Sequence, residues 1–131
     1  MSASFTVLVA DDDLLFSTQI ESALAAHGHR AWVVRTAPAF EQALRRRPDA
    51  AIVNLAARMD VIDAVRRAKA DPVTRTIPVL GFCGHADAAR RRAAEAAGCD
   101  RVATNGEVSN NLTRLLETLL DSVHASEKRI T

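Results

Sequence analysis

The feature that most constrains the fold is a pair of short apolar runs that both stop at polar residues. Residues 7–10, Val-Leu-Val-Ala, end at three consecutive aspartates (11–13), and residues 50–53, Ala-Ala-Ile-Val, end at Asn54. Uninterrupted apolar runs of this length are typical of strands that are buried on both faces of a parallel sheet. Because parallel strands end at the same edge of a sheet, we expect the aspartates and Asn54 to lie together.

The rest of the chain alternates strand patterns with helical patterns. The predicted strands are residues 6–10, 30–34, 50–54, 79–83 and 101–103, and the predicted helices are residues 14–27, 38–46, 60–70, 86–97 and 108–123. Asn105 and Gly106 are predicted to form the turn before the last helix. Strands that alternate with helices predict right-handed crossovers and an α/β, doubly wound fold, with a five-stranded parallel sheet and five helices.

Length and composition fit one domain and exclude several classes of function. The chain has 131 residues, 48% of them hydrophobic, which is enough for one compact core over about residues 5–123, followed by a polar tail at residues 124–131. A net charge of +1 gives no general attraction to nucleic acid or anionic lipid. No apolar run is long enough to span a membrane, and Met1 to Phe5 do not resemble a signal peptide, so we expect a cytoplasmic protein. Cys83 and Cys99 match no metal-binding spacing and are expected to be free thiols.

Four segments, in their order and spacing, resemble the receiver domains of bacterial two-component response regulators over residues 5–123. They are residues 7–13, 48–54, 71–79 and 97–100. The resemblance implies the flavodoxin-like receiver fold. In that family an aspartate at the end of the third strand accepts a phosphoryl group from a phosphohistidine, helped by a divalent ion, a hydroxyl group and a lysine.

Carried over residue by residue, the resemblance implies a degenerate phosphorylation pocket. Asn54 stands at the place of the phosphoacceptor aspartate, Cys83 at that of the hydroxyl residue and Asn105 at that of the lysine, whereas Asp12 and Asp11 match the direct and water-mediated metal ligands. An amide nitrogen is not a nucleophile, and phosphoryl transfer depends on the positive charge of the lysine that Asn105 replaces. We therefore expect no enzyme activity, no cofactor, and Mg²⁺ bound weakly if at all.

The expected function is that of a stand-alone pseudo-receiver, a non-phosphorylated module of signal transduction that acts through protein contacts. Its partner would be a protein such as a histidine kinase or another regulator. The alternative is a receiver that is still regulated by metal binding or by phosphorylation at Asp12 or a neighbouring residue. An unrelated flavodoxin-like enzyme is a third reading, but a Gly-rich phosphate loop is missing after the first strand.

Asn54 and Asn105 together preserve the net charge of an intact pocket, because one substitution removes a carboxylate and the other a lysine. We predict that the two amides contact each other, directly or through one water molecule.

Simpler interpretations of the same residues stay open. The aspartates at 11–13 can be a cluster at a helix start, with Asp13 as the capping residue in either case. Cys83 can be a small buried hydrophobic residue. Cys83 and His85 beside the aspartates can also hold Zn²⁺, although such a site needs about three ordered protein ligands.

The last helix carries a second line of apolar residues beyond its core stripe. This line, with arginines of the preceding helix and strand, predicts an interaction face, and a homodimer through the last helix is one candidate assembly. The equally weighted alternative is that the wide stripe packs beneath the first helix. The residues of the predicted face are Arg90, Arg91, Arg101, Leu116, Leu120 and Val123.

Overall fold

The computed structural model describes residues 4–130, and the side chains of residues 4–122. Strands and helices alternate along the whole of this range. The strands are β1 (Thr6–Ala10), β2 (Arg30–Val34), β3 (Ala50–Asn54), β4 (Val79–Cys83) and β5 (Arg101–Thr104). The helices are α1 (Leu14–Ala26), α2 (Ala37–Leu44), α3 (Val61–Ala70), α4 (Ala88–Ala97) and α5 (Asn105–Ile130).

All five strands form one parallel sheet in the order β2-β1-β3-β4-β5. The order reverses direction at β1, which lies between β2 and β3. This confirms the predicted fold class, and the boundaries of the first four strands agree with the sequence interpretation. In such a sheet, polar residues at the carboxyl ends of β1 and β3 lie at the switch in strand order, where binding sites of open α/β sheets are found.

Helices cover both faces of the sheet. Because side chains alternate along a strand, Val7 and Val9 point to the layer of α1 and α5, whereas Leu8 and Ala10 point to the layer of α2, α3 and α4. Because helices cover both faces of the sheet, the central strands are apolar on both sides. The two cores hold the strand ends rigidly, and so fix the positions of the polar residues beyond them.

Capping side chains set the starts of the helices. Asp13 accepts a hydrogen bond from the Phe16 backbone N–H at the start of α1, and Thr36 and Asp87 cap α2 and α4 in the same way. Thr104 caps α5 in the same way. Thr104 Oγ1 accepts a hydrogen bond from the Glu107 N–H, and Glu107 Oε1 accepts one from the Thr104 N–H.

This reciprocal arrangement is a capping box. It starts α5 at Asn105, so the predicted turn at Asn105-Gly106 is wrong, because both residues belong to the first turn of the helix. The helix continues to Ile130, past the predicted end at residue 123, and Asn111 interrupts it with a non-helical backbone (φ −138°, ψ 29°). The backbone of the predicted tail up to Ile130 is therefore helical.

Cys83 and Cys99 are both free thiols. None of the helices in the described part of the chain combines the length and the hydrophobicity that crossing a membrane requires.

Candidate functional site

The polar ends of β1 and β3 meet at one edge of the sheet. The two strands pair with Ala10 beside Val53, which brings the next residues, Asp11 and Asn54, side by side. Asn54 Nδ2 donates a hydrogen bond of 2.9 Å to Asp11 Oδ1. The sequence prediction that these two residues lie together is confirmed, and their contact is one between an amide donor and a carboxylate acceptor.

A second hydrogen bond determines which end of the Asn54 amide faces the acid. The backbone N–H of Ala56 donates to Asn54 Oδ1 over 3.0 Å. Only the oxygen of an amide accepts such a bond, so the nitrogen must be the atom directed at Asp11. The amide oxygen is consequently used by the loop after β3 and is turned away from the carboxylate.

Asp11 is the most buried charged residue at the site, with 0% of its surface exposed. Its Oδ1 accepts from Asn54 and also from the backbone N–H of Asp13 at 2.9 Å, whereas its Oδ2 has no hydrogen-bond partner in the described structure. Burial raises the pKa of Asp11, and the hydrogen bonds from Asn54 and Asp13 oppose this rise. The Asn54 donor therefore stabilises a carboxylate that its surroundings disfavour.

The other two aspartates are exposed, and each receives a backbone donor. Asp12 Oδ2 accepts from the N–H of Arg58 over 2.9 Å, which ties the loop after β3 to the end of β1. Asp13 Oδ1 accepts from Phe16 N–H as the cap of α1. The simple interpretation of Asp13 as a helix cap is confirmed.

The donor set of this site does not fit Mg²⁺ as it is arranged. Mg²⁺ requires near-octahedral oxygen coordination and prefers carboxylates. Here the N–H end of Asn54, not its oxygen, faces Asp11, and one oxygen of Asp12 is occupied by Arg58 N–H. Within the described residues, no group of three or more His, Cys, Asp and Glu side chains is placed to hold a metal ion. This finding also leaves the zinc interpretation of Cys83 and His85 without a ligand set.

Cys83, which stands where the family has a hydroxyl residue, is buried in the core on the face of the sheet that α2, α3 and α4 cover. It ends β4, is fully buried, and its Sγ lies 4.0 Å from the carbonyl oxygen of Asp87. Burial raises the pKa of this thiol, which disfavours the reactive thiolate. The environment agrees with the interpretation of Cys83 as a small hydrophobic residue.

Asn105 does not join the pocket. Asn105 is exposed in the first turn of α5, and no hydrogen bond connects it to Asn54 in the described structure. The direct form of the predicted amide contact is wrong: Asn54 Nδ2 donates to Asp11 and Asn54 Oδ1 accepts from the N–H of Ala56, and neither atom is bonded to Asn105 in the described structure. A bridge through water stays a prediction.

The arginines of the predicted interaction face are all engaged within the chain. Arg90 pairs with Asp87, Arg91 Nη1 donates to the carbonyl oxygen of Val102 over 3.1 Å, and Arg101 Nη2 lies 3.6 Å from Glu107 Oε2. These contacts join α4, β5 and α5. They give the three side chains a role within the domain.

The prediction that Leu116 and Leu120 belong to an exposed interaction face is wrong. Leu116 and Leu120 are 1% and 4% exposed, and they pack in the core cluster that contains Ile20 and Leu24 of α1. The wide apolar stripe of α5 is therefore used beneath the first helix, as the alternative interpretation held. The side chain of Val123 lies outside the described residues.

Two contacts at the site were not predicted. Arg35 Nη1 donates to the backbone carbonyl of Asp11 over 3.2 Å, and its Nη2 lies 3.5 Å from Ser17 Oγ. The Arg58 N–H bond to Asp12 is the second. Backbone donors from a loop leave no signal in residue type, so the second contact could not be read from the sequence.

Comparison with known proteins identifies the fold. No family model and no curated protein matches the chain. Among solved structures, the signal receiver domain of a signal transduction histidine kinase from Syntrophus aciditrophicus is similar, with a TM-score of 0.80 and 24% identity over 91% of this chain and 92% of that chain.

Two further structures are alike to the same degree. The receiver domain of a sensor histidine kinase from Pseudomonas aeruginosa, which has a magnesium ion coordinated in its active-site cleft, gives a TM-score of 0.81 and 22% identity over 91% of this chain and 99% of that chain. The signal receiver domain of an HD domain-containing protein from Pseudomonas fluorescens gives 0.82 and 17%, over 98% and 96%. The chain therefore has the receiver fold.

Proposed function

We propose that this protein is a pseudo-receiver, a module of signal transduction that acts through protein contacts and does not accept a phosphoryl group at position 54. The observation that carries the proposal is the hydrogen bond from Asn54 Nδ2 to Asp11 Oδ1. The similar structures are receiver domains, which supports signal transduction as the setting.

The chemistry of the amide supports the absence of phosphorylation. A phosphoacceptor needs a nucleophilic lone pair that can attack phosphorus, and the nitrogen of an amide has its lone pair delocalised into the carbonyl group. The oxygen of Asn54 is neutral and is engaged by Ala56 N–H. Neither end of this side chain can serve as the nucleophile.

The charges of the pocket support the same conclusion. Catalysis of phosphoryl transfer rests on positive groups that neutralise the moving phosphoryl oxygens. In the described structure no lysine or arginine side chain pairs with the carboxylate of Asp11, Asp12 or Asp13. Three of their oxygens are held by backbone or amide N–H groups instead. The pocket is thus stabilised by internal donors where an active receiver uses cations.

The similarity to receiver domains of histidine kinases supports a protein partner. We infer that the module carries no enzyme activity and needs no cofactor, and that its output is recognition by a histidine kinase or by another regulator. The regulated alternative, phosphorylation of Asp12 or a neighbouring residue, makes an opposite prediction in the following experiment.

The full chain is incubated with acetyl phosphate and Mg²⁺, and its intact mass and peptide map are recorded, with an aspartate-containing receiver domain as the positive control. We expect no phosphoryl adduct. An adduct mapped to Asp12 or a neighbouring residue would overturn the proposal in favour of chemical regulation. In parallel, the thermal midpoint should stay unchanged up to about 10 mM Mg²⁺, because a ligand that binds only the folded state raises it.

A further inference from the structure

The two edges of the sheet differ in how their backbone groups are covered. β5 is the edge strand on one side, and side chains bond to its backbone at two places: Arg91 Nη1 donates to the carbonyl oxygen of Val102, and Glu107 Oε1 accepts from the Thr104 N–H. β2 is the edge strand on the other side, and in the described structure it pairs only with β1. An unpaired strand edge is a template for another extended chain.

The bonds to β1 identify which backbone groups of β2 face outward. The Arg30 N–H donates to the carbonyl oxygen of Phe5, so the backbone groups of Arg30 are turned toward β1. Because these groups alternate in direction along a strand, Trp32 also faces β1, whereas Ala31 and Val33 turn their N–H and C=O groups away from the sheet. Within the described residues, no hydrogen bond is made to these outward groups.

The sequence of β2 lacks the features that usually protect a strand edge. Residues 31–34, Ala-Trp-Val-Val, contain no proline and no charge, and three of the four favour strands. All four are partly exposed. A surface depression of about 470 Å³ lies beside them, lined mainly by small side chains of α1 and β2 such as Ser22, Ala25 and Ala31. This depression leaves room for the side chains of an added strand.

The arginines at this edge favour an acidic occupant. Arg30 is exposed and borders the depression, and the exposed Arg46 has its guanidinium 5.6 Å from the centre of the Trp32 ring. Neither arginine forms a salt bridge in the part of the chain that the structure describes. Two copies of this edge paired with each other would bring four such arginines together, so charge disfavours a second copy and favours a partner with carboxylates.

We propose that β2 binds, as a sixth strand of the sheet, an extended segment of a partner protein that carries aspartate or glutamate beside Arg30 and Arg46. The backbone of the segment bonds to the outward groups of Ala31 and Val33. Because successive side chains of a strand face opposite sides of the sheet, its acids lie on the side of Trp32 and its aliphatic side chains enter the depression beside α1. The proposal rests on the proposed function, since it names the chemistry of the partner.

The test uses four designed peptides of about eight residues, long enough to span the five residues of β2. The first alternates valine with glutamate, and the second has lysine in place of every glutamate. The other two keep all side chains of the first but carry methyl groups on the backbone nitrogens, either of the valines or of the glutamates. Only one of these two sets of N–H groups faces β2, so we expect only one of the methylated peptides to lose binding.

Each peptide is titrated into the isotope-labelled full chain, and amide shifts and hydrogen exchange are followed by NMR. We expect the glutamate peptide to slow exchange at Ala31 and Val33 at least about tenfold, and to change Arg30, Trp32 and Val34 little, because their N–H groups are already bonded to β1. The lysine peptide should bind at least about tenfold more weakly, and the affinity of the glutamate peptide should fall as salt is added.

Variants separate pairing at the strand edge from general charge attraction. Val33→Pro removes an outward N–H and no bond to β1, so the fold should persist and binding should fall at least about tenfold. Arg30→Gln combined with Arg46→Gln should weaken binding several-fold. The matched control is Arg114→Gln, an exposed arginine on α5, which should not change binding. If Val33→Pro fails to fold, the methylated peptides test the same bonds on the unaltered chain.

The proposal is wrong if the lysine peptide binds as tightly as the glutamate peptide, or if neither methylated peptide binds more weakly. It is also wrong if Ala31 and Val33 stay unchanged at about 1 mM glutamate peptide. A wild-type dimer in sedimentation that Val33→Pro abolishes would make a second copy of this chain the occupant instead.

The peptide and phosphorylation experiments can fail separately. A chain that accepts a phosphoryl group and still binds the glutamate peptide refutes only the proposed function. A chain that accepts none and binds no peptide refutes only the sixth strand.

Discussion

Asn54 and Asp11 are joined across the boundary between β3 and β1 by a hydrogen bond of 2.9 Å, in which the amide nitrogen donates and the carboxylate accepts. The bond places a neutral donor where a carboxylate would put two negative charges in contact.

Asn54→Asp should destabilise the domain without creating a phosphoacceptor. The change replaces the donor to Asp11 with a second carboxylate, and the lost bond plus the repulsion should lower the free energy of unfolding by about 1–3 kcal/mol at neutral pH. Urea unfolding followed by the fluorescence of Trp32, the single tryptophan, measures the change. Asn105→Asp, an exposed site at the start of α5, is the control and should be close to neutral. Ready phosphorylation of Asn54→Asp by acetyl phosphate would show that this account is wrong.

Asp11→Asn should become more favourable relative to the wild type as pH rises. Burial raises the pKa of Asp11 above its ordinary value of 3.8, so the folded protein keeps this proton at a pH where the unfolded chain has lost it. Ionisation of Asp11 therefore costs stability as pH rises through that window, and asparagine removes the cost. Unfolding free energies of both proteins between about pH 3.5 and 7 test the sign. A difference that stays constant, or that falls with pH, would contradict it.

Asp12→Ala should loosen the loop after β3. Asp12 Oδ2 is the acceptor of the Arg58 N–H, so its removal should speed hydrogen exchange at the Arg58 amide. Asp12→Asn retains an acceptor oxygen and should leave the exchange close to that of the wild type. Equal exchange rates in all three proteins would mean that this bond does not hold the loop.

Thr104→Ala should cost about 1 kcal/mol, because it removes the acceptor of the Glu107 N–H from the capping box of α5. Thr104→Ser keeps the hydroxyl and should retain most of the stability. Thermal midpoints of both variants and of the wild type measure the effect, and a serine variant as unstable as the alanine variant would refute the role of the hydroxyl.

The same capping box should depend on pH. The Thr104 backbone N–H lowers the pKa of Glu107 from its ordinary 4.5, so the contribution of Glu107 to stability is lost as pH falls through its folded pKa.

Leu116→Ala should act as a core substitution. The side chain is 1% exposed among residues of α1 and the sheet, so its truncation should cost about 2–5 kcal/mol and leave the oligomeric state unchanged. Urea unfolding and sedimentation give the two readouts. A loss of dimer with unchanged stability would restore the interaction face that the sequence suggested.

The central strands β1 and β3 could be predicted because each is a continuous apolar run that ends at polar residues, as at Asn54. The starts of α4 and α5 were less predictable, since an alanine-rich pattern and a Gly-containing turn dipeptide hid the caps. Asp87 capping Arg90 N–H shortened α4, and Thr104 with Glu107 began α5 at Asn105. The capping box was readable as a threonine followed three residues later by glutamate.

At the site, the sequence predicts that Asn54 lies beside the aspartates, but not which side chain it is hydrogen-bonded to. Charge counting suggested that Asn54 would contact Asn105, whereas the register of β1 and β3 gave it to Asp11. The width of the α5 stripe was equally ambiguous, because the number of apolar residues does not reveal how deeply α1 lies over them. Both questions depend on distances between elements, which local patterns do not contain.

The bond between Asn54 and Asp11 also bears on how such a module would be switched. In a phosphorylated receiver, the lifetime of the acyl phosphate sets how long the signal lasts, and enzymes can end that signal. If the pocket accepts no phosphoryl group, as we propose, it has no covalent state whose lifetime could limit the signal. Its influence would scale with how many copies the cell makes and how fast it degrades them, so transcription and proteolysis would become the natural points of control.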